Sequence, residues 1–163
     1  MLTGGHLTPA CAVIDEIQAK HPEWNIVFVG RMHALEGDTA LSQEYRIISQ
    51  KGIPFYPLTM GRLTRAFSFS SVLSILKIPV GFVQSLFLIR KIRPSVVLTF
   101  GGYLAVPIAW WAHVFGIPVV THEQTMSTGL TNRFIAKFAD KVLTAFPVQD
   151  SVSSKKYSCV GLP

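Results

Sequence analysis

Two short runs that combine glycine with a polar side chain could bind an anion. Thr3-Gly4-Gly5-His6 directly precedes a predicted helix, and Gly101-Gly102-Tyr103 directly follows a predicted strand. Glycine lets the backbone approach an anion closely, and the first turn of a helix offers unpaired N–H groups at the positive end of its dipole. The pattern suits a pyrophosphate site with His6 as a candidate general base. A tight turn, a helix-start histidine and a half-buried Tyr103 that caps the sheet are the structural alternatives.

A third polar run, His122-Glu123-Gln124-Thr125, directly follows a predicted buried strand. Adjacent residues of an extended chain point to opposite sides, so His122 and Glu123 are not expected to work together as an acid/base pair. We expect one of them to order the loop while the other faces a cleft. For Glu123, a catalytic role and a structural role in holding backbone N–H groups both stay open.

Metal, cofactor and disulfide chemistry find no support in the sequence. It contains no Asp-x-Asp, His-x-x-x-His or Walker-type phosphate loop and no serine-hydrolase elbow. Its two cysteines, Cys11 and Cys159, lie far apart with no His/Cys cluster near either. We therefore expect no metal site, no cofactor and a reducing, cytosolic compartment.

Helical and strand patterns alternate along the 163 residues, of which 49% are apolar and 15% charged. The predicted strands are 25–30, 53–58, 95–100, 117–121 and 141–145. The predicted helices are 8–20, 39–50, 72–93, 104–116 and 129–139. This alternation predicts one α/β domain, a Rossmann-like parallel sheet with helices on both faces.

The polar loops are expected to share one edge of that sheet. In an open parallel sheet the ligand lies beyond the carboxyl ends of the strands, where loops 3–6, 101–103 and 122–129 fall. Loop 3–6 has the form of a strand-to-helix connection, yet only two residues precede it. The first strand is therefore predicted to be missing. The run 157–163 looks like the start of a linker, so the sequence is interpreted as a domain clipped on both sides.

The apolar stretch 72–89 predicts contact with a membrane surface. It contains Lys77, Pro79, Gly81 and Gln84, which argues against a helix that crosses the bilayer. The net charge is +6, and basic residues flank the stretch: Arg62, Arg65, Lys77, Arg90, Lys91 and Arg93. Apolar anchors beside basic residues are typical of an interfacial helix on an anionic leaflet. The predicted contacts are Leu76, Phe82, Phe87 and Arg90; a buried core helix is the alternative, and nucleic acid is not an expected partner.

Together these runs resemble the N-terminal domain of glycosyltransferase family 28, in its members that transfer N-acetylglucosamine from a UDP donor to lipid I in peptidoglycan synthesis. The matching pieces are TGGHLTPACAV (3–13), FGGYLAVP (100–107), GIPVVTHEQ (116–124), GLTNRFIAKFADKV (129–142) and VGLP (160–163). The resemblance implies a GT-B enzyme of two domains, with residues 1–163 as the acceptor-binding, membrane-facing domain. The donor-binding C-terminal domain is absent from the chain. It also implies a peripheral protein on the cytoplasmic face of the bacterial plasma membrane, with a part in cell shape and division.

The resemblance assigns roles to the three polar runs. It places Thr3, Gly4 and Gly5 near the pyrophosphates and the donor sugar, with His6 as the general base and Glu123 as the next candidate. The other implied substrate contacts are Gly101, Gly102, Tyr103, His122, Gln124 and Thr125. The implied reaction is an inverting transfer without metal, in which a sugar hydroxyl attacks the anomeric carbon, a base takes its proton and UDP leaves.

Three departures from the family pattern bear on these expectations. The usual G-G-x-G-G-H is reduced to L-T-G-G-H, the usual Asn after H-E-Q is Thr125, and the nucleotide-binding half is missing. The chain alone is therefore expected to be inactive. Two alternatives stay open: a non-catalytic, membrane-recruiting subunit of a split glycosyltransferase, or a family-28 enzyme that acts on another lipid.

Overall fold

Seven strands and five helices alternate along the part of the chain that the structure, a computed structural model, describes: residues 1–3, 6–33, 40–61, 69–126, 129–147 and 155–163, without the side chains of 69–76. The strands are β1 Leu2–Thr3, β2 Phe28–Gly30, β3 Phe55–Pro57, β4 Val97–Thr99, β5 Val119–Glu123, β6 Lys141–Thr144 and β7 Tyr157–Cys159. The helices are α1 Leu7–Lys20, α2 Gln43–Gln50, α3 Phe69–Ile92, α4 Ala105–Val114 and α5 Leu130–Ala136. The predicted loop 61–71 lies mostly outside the described residues, as do its Arg62 and Arg65.

The strands form one parallel sheet in the order β3-β2-β1-β4-β5-β6-β7, which confirms the predicted fold class. Contrary to the expectation that the first strand is missing, Leu2 and Thr3 form β1 at the centre of the sheet, between β2 and β4. Two residues suffice because β1 is bonded on both sides: the Leu2 N–H donates to the Val27 carbonyl at 2.9 Å, and the Leu98 N–H donates to the Met1 carbonyl at 2.9 Å. The strand order reverses between β1 and β4, and ligands bind at such a switch point in open α/β sheets.

Both faces of the sheet are covered by helices. On one face, strand residues such as Val97 and Val119 pack with apolar side chains of α3, α4 and α5, including Ile108 of α4. On the other face, Phe28 and its neighbours pack with α1 and α2 around Ile14. Side chains that are this fully buried each contribute about 1.5–3 kcal/mol to the free energy of unfolding. The two apolar layers fix the sheet, and the sheet in turn fixes the loops at its carboxyl edge.

Most helix boundaries lie within three residues of those predicted, but α2 begins at Gln43, four residues later than expected, because Ser42 is its N-cap. Helix α1 begins at Leu7, with His6 in extended conformation at its N-cap. Helix α3 ends at Ile92, directly before Arg93, whose φ of 49° leaves the helical region, and Pro94. Pro94 has no N–H to donate to a further helical turn, and it disfavours helical backbone in Arg93, the residue before it. The predicted end of this helix is therefore confirmed.

Candidate functional site

Three neighbouring strands of the sheet deliver the polar loops to one edge. Thr3 of β1 pairs with Thr99 of β4, and Thr99 pairs with Thr121 of β5, so the three strands are in register. Their carboxyl ends lie side by side because all three run in the same direction. The expectation that the loops share one edge of the sheet is confirmed.

The loop after β4 depends on two consecutive glycines. Gly101 has a φ of 82° and Gly102 a φ of 77°, a region that costs residues with a side chain about 1–2 kcal/mol. The Gly101 N–H donates to Thr99 Oγ1 at 3.0 Å, and the Ala105 N–H donates to the Gly102 carbonyl at 3.1 Å. Helix α4 therefore begins immediately after a turn that only glycine forms without strain. Tyr103 is half-buried and packs against the core, which agrees with the structural alternative given for this residue in the sequence analysis.

The carboxylate of Glu123 organises the loop after β5. Its Oε1 accepts from the Thr125 N–H at 3.0 Å and from the Thr125 hydroxyl at 2.7 Å. Its Oε2 accepts from the Gly129 N–H at 3.1 Å and from Asn132 Nδ2 at 2.8 Å. Glu123 is only 5% exposed. Four donors thus surround one buried carboxylate. This geometry favours the structural role of Glu123, in which it holds backbone N–H groups.

Those four hydrogen bonds also decide the charge of Glu123. Burial by itself raises the pKa of this carboxyl, since it disfavours the charged form. Hydrogen bonds from Thr125, Asn132 and Gly129 outweigh burial, and the pKa of Glu123 lies below its ordinary value. A carboxylate that is held ionised and already accepts four hydrogen bonds is a weak general base.

Asn132 is a residue of the site that the sequence analysis did not single out. Its side chain is 6% exposed and lies between β5 and the glycine loop. It accepts from the Thr121 hydroxyl at 3.2 Å through Oδ1 and donates to Glu123 through Nδ2. A Cβ placed on Gly101 would lie 2.9 Å from both Nδ2 and Oδ1 of Asn132. The only sequence signal was an amide three residues after Gly129, in a helix of otherwise ordinary composition.

His122 points to the opposite side of the sheet from Glu123, as the alternation of an extended chain predicts. Its Nε2 lies 3.1 Å from the Gly161 carbonyl, which can only accept, so Nε2 carries the proton. Its Nδ1 is buried and has no hydrogen-bond partner among the described residues. The ring lines an apolar cavity of about 250 Å³ between α1, the sheet and the C-terminal residues; other residues of its lining are Val13, Leu98, Phe100, Leu143 and Leu162. The two residues therefore serve different faces of the sheet.

The first polar run is described only in part. Thr3 is fully buried, and its hydroxyl has no hydrogen-bond partner within the described part of the chain. Gly4 and Gly5 lie outside the described residues. His6 is exposed, and its side chain makes no capping hydrogen bond in the described structure of α1. The imidazole therefore stands at the edge of the sheet, where solvent or a ligand can reach it.

Gln124 and Thr125 complete the third run. Gln124 is half-buried, and its Nε2 has no hydrogen-bond partner among the residues described. Thr125 is exposed, but its backbone N–H and its hydroxyl both turn toward Glu123. The departure from the family pattern at this position thus falls on a residue that helps to order the loop.

Helix α3 is buried on one side and exposed on another. Ile89 is buried in the core, whereas Val83 is 52% exposed and Phe87 64% exposed. Phe82 is half-buried, and its carbonyl accepts from Trp111 Nε1 of α4 at 2.8 Å. The side chain of Leu76, a further predicted contact, lies outside the described residues.

Exposed apolar and basic side chains of α3 and α4 adjoin one another. The Arg90 guanidinium lies 5.5 Å from the centre of the Phe115 ring, at the end of α4. The exposed members of this surface, called the α3–α4 face below, are Val80, Val83, Phe87, Arg90, Val114 and Phe115. Among the helices in the described part of the chain, none has the combination of length and hydropathy that a membrane span requires. Within the same described ranges, no three His, Cys, Asp or Glu side chains are grouped so as to hold a metal ion.

Comparison with known proteins gives one consistent match. The model of the glycosyltransferase family 28 N-terminal domain matches residues 3–144. A UDP-N-acetylglucosamine–N-acetylmuramyl-(pentapeptide) pyrophosphoryl-undecaprenol N-acetylglucosamine transferase of Listeria welshimeri is 35% identical over 162 residues, which are 99% of this chain and 42% of the relative. The protein of the same name in Legionella pneumophila is 36% identical over 155 residues, 95% of this chain and 39% of the relative. The chain thus spans about two fifths of the length of these curated relatives.

Solved structures agree with the sequence comparison. The crystal structure of Acinetobacter baumannii MurG has a TM-score of 0.73 at 25% identity and covers 99% of this chain, which spans 44% of that one. A second structure, a UDP-N-acetylglucosamine 2-epimerase from Rickettsia bellii, shares the fold alone. Its TM-score is 0.52 at 16% identity, and the match covers 89% of this chain and 38% of the epimerase chain. The seven-stranded sheet is therefore the Rossmann-like N-terminal half of a GT-B fold.

Proposed function

The chain belongs to glycosyltransferase family 28 through the N-terminal domain of that family, and we propose that it is the acceptor-binding part of an enzyme that builds lipid II. The proposed reaction transfers N-acetylglucosamine from UDP-N-acetylglucosamine to the lipid-linked muramyl-pentapeptide of lipid I. One observation carries the proposal. The chain matches curated N-acetylglucosamine transferases over 99% of its length, and its polar loops lie together at the switch point of the sheet. Residues 1–163 form a single domain in this proposal.

The acceptor's pyrophosphate is assigned to the carboxyl edge of β1 and β4. Helices α1 and α4 both begin there, so the positive ends of two helix dipoles face this edge. Pro9 and Pro107 in their first turns have no N–H, and the Ala105 N–H donates to the Gly102 carbonyl. Gly102, which is half-buried, leaves the backbone of the loop before α4 open to close approach, while Gly101 beneath it is buried and donates its N–H to Thr99 Oγ1. A diphosphate bound between the two helix ends would be neutralised by dipoles and N–H groups without a metal ion.

The general base of the proposed reaction is His6. As a sugar hydroxyl attacks the anomeric carbon, the imidazole takes its proton, the bond from that carbon to the phosphate oxygen breaks, and UDP leaves with inversion. A base positioned in this way contributes about 10²–10⁴-fold to the rate. His6 is preferred over Glu123 because its ring is exposed at the edge of the sheet, whereas the carboxylate is committed to the loop.

The α3–α4 face is proposed to rest on the cytoplasmic leaflet of the plasma membrane. A lipid-linked acceptor reaches the site only if the protein lies at the bilayer surface. Phe87 and Val83 would enter the interface, while Arg90 at the same end of α3 would face anionic headgroups. Each such basic residue contributes about 1 kcal/mol of binding free energy.

Donor binding is assigned to the part of the relatives that residues 1–163 do not match. The relatives are more than twice as long as the region they share with it. We expect the UDP-sugar to be bound by a second domain, joined to this one or supplied separately. A chain of this kind provides the acceptor site and the base, and without the second domain it should not transfer sugar.

Binding to vesicles tests the proposal. Anionic vesicles are prepared with lipid I, with undecaprenyl pyrophosphate that has no sugar, or with neither, and the bound fraction of the chain is measured by sedimentation. Tighter binding to the lipid I vesicles than to the other two supports the proposed acceptor. Equal binding to all three leaves only a membrane-recruiting role and contradicts the acceptor site. Binding to the sugar-free lipid that is as tight as binding to lipid I would show that only the lipid pyrophosphate is recognised, which contradicts specificity for the lipid I sugar and favours the alternative of a family-28 enzyme that acts on another lipid.

A further inference from the structure

Asn132 connects two loops of the candidate site that are separate in sequence. It is buried at the start of α5 and bonds to the Thr121 hydroxyl at 3.2 Å and to Glu123 at 2.8 Å. Both polar atoms of its amide lie 2.9 Å from the position where Gly101 would have a Cβ. Nothing in the proposed reaction uses Asn132 directly, yet its side chain fills the space between the glycine loop and the end of β5.

We infer that Asn132 is a positioning residue, which holds the loop Gly101–Tyr103 in the conformation that receives the acceptor's pyrophosphate. The inference deepens the proposed function and rests on it for the identity of the ligand. The part that concerns the loop stands on the contacts alone.

The orientation of the amide is set by its two partners. The Glu123 carboxylate is ionised and can only accept, so Nδ2 must face it. Oδ1 is then left to accept the proton of the Thr121 hydroxyl. Reversing the amide would place Oδ1 against the Glu123 carboxylate, oxygen against oxygen, and would lose the buried hydrogen bond to it. Asn132 therefore has one stable orientation, held by Thr121 and Glu123 beside Gly101.

The glycine loop is fixed from two sides. From the strand, Thr99 Oγ1 accepts the Gly101 N–H at 3.0 Å. From the side, the Asn132 amide occupies the volume that a side chain on Gly101 would need. The left-handed backbone of Gly101 and Gly102 is one of several that glycine can adopt. Without a neighbour that fills this space, the loop is free to leave this conformation.

Amide hydrogen exchange at residues 100–104 of the 163-residue chain tests whether Asn132 holds the loop. Asn132→Ala removes the amide and its volume, whereas Asn132→Asp keeps the volume and replaces the donor with a carboxylate that faces Glu123. The matched control is Ser85→Ala, which removes a buried hydroxyl that donates to the Gly81 carbonyl at 2.7 Å, on α3. We expect exchange at 100–104 to accelerate about tenfold or more in both Asn132 variants and to stay unchanged in the control. Unchanged exchange in a folded Asn132 variant overturns the inference, and Asn132→Asp decides if the alanine variant does not fold.

Acceptor affinity tests the consequence for binding. With lipid I vesicles, the dissociation constant is expected to rise about tenfold in both Asn132 variants, because the loop is no longer held in one conformation. Affinity for anionic vesicles without lipid I should not change, nor should the lipid I affinity of Ser85→Ala. Wild-type acceptor affinity in a variant with a loosened loop overturns the positioning role. If the wild type itself does not distinguish lipid I vesicles from plain ones, the proposed function fails, while the exchange measurement still decides whether Asn132 holds the loop.

Discussion

Asn132 Nδ2 lies 2.8 Å from Glu123 Oε2, so an amide–carboxylate hydrogen bond joins helix α5 to the end of strand β5. The same carboxylate accepts the backbone N–H groups of Thr125 and Gly129 on either side of the intervening loop. Glu123 thus holds together the two ends of the loop that follows β5. Its neighbour His122, on the other face of the sheet, contacts the C-terminal segment instead.

Removing the charge of Glu123 should destabilise the fold in a pH-dependent way. In Glu123→Gln an NH2 group replaces one carboxylate oxygen, so at least one buried donor loses its acceptor. We expect the free energy of unfolding at pH 7 to fall by about 1.5–3 kcal/mol. Because the folded pKa of Glu123 lies below its ordinary value of 4.5, its contribution is complete above that value and is lost as the pH falls through the folded pKa. Urea unfolding of both proteins between pH 7 and pH 3 should show the difference shrinking toward acid. Glu16→Gln, at an exposed carboxylate of α1, is the control; a difference that grows toward acid would refute the assignment.

A methyl group on Gly101 should cost more than one on Gly116. Both glycines have a positive φ, 82° and 68° respectively, so alanine pays a backbone penalty of about 1–2 kcal/mol at either position. Nothing lies within 4 Å of a Cβ on Gly116, whereas a Cβ on Gly101 meets the Asn132 amide at 2.9 Å. Urea denaturation should therefore rank Gly101→Ala as the less stable variant. Equal stability of Gly101→Ala and Gly116→Ala would show that the Asn132 side chain moves aside without loss of stability.

Acidic residues on the α3–α4 face should release the chain from membranes. Val83→Asp combined with Phe87→Asp replaces two side chains that are more than half exposed, so the fold should tolerate the change. We expect the affinity for anionic vesicles to fall at least tenfold in sedimentation assays, since each apolar anchor contributes about 1.5–3 kcal/mol when fully buried. Trp24→Asp, at an exposed tryptophan of the loop after α1, should keep wild-type affinity. Unchanged binding in the folded double variant would mean that the face does not contact lipid.

Much of the fold could be predicted because its signals are local. Apolar runs that end in glycine identify strands, Pro94 stops α3, and alternation along β5 separates His122 from Glu123 without any knowledge of their partners. The two-residue strand β1 could not be predicted, because a strand that short is defined by its neighbours on both sides and not by its own pattern. Long-range pairing of that kind is invisible in a single sequence.

The candidate site was predictable in its loops but not in what holds them. Glycine pairs and polar residues after strands indicate where a ligand binds. The role of Asn132 depends on contact with Gly101, 31 positions away, which no local spacing encodes. The same limit applies to α3: its composition fits both a core helix and an interfacial one, and only packing against α4 shows that Ile89 is buried while Phe87 is exposed.

His6→Ala should impair the chemical step in an enzyme that contains both domains. A chimera that joins residues 1–163 to the remaining part of the Listeria welshimeri relative provides that context, since the two align over 99% of this chain. We expect kcat to fall about 10²-fold or more with the KM for UDP-N-acetylglucosamine nearly unchanged, because the base acts only in the transition state. A raised KM at wild-type kcat would make His6 a binding residue instead.

The same chimera, with His6 intact, tests the central claim most directly. The measurement is transfer of radiolabelled N-acetylglucosamine from its UDP donor to lipid I in anionic vesicles, with the unfused chain assayed in parallel. If residues 1–163 form the acceptor site and supply the base, the chimera produces labelled lipid II and the unfused chain produces none. A folded chimera that binds UDP-N-acetylglucosamine and lipid I vesicles yet transfers no sugar would contradict the account.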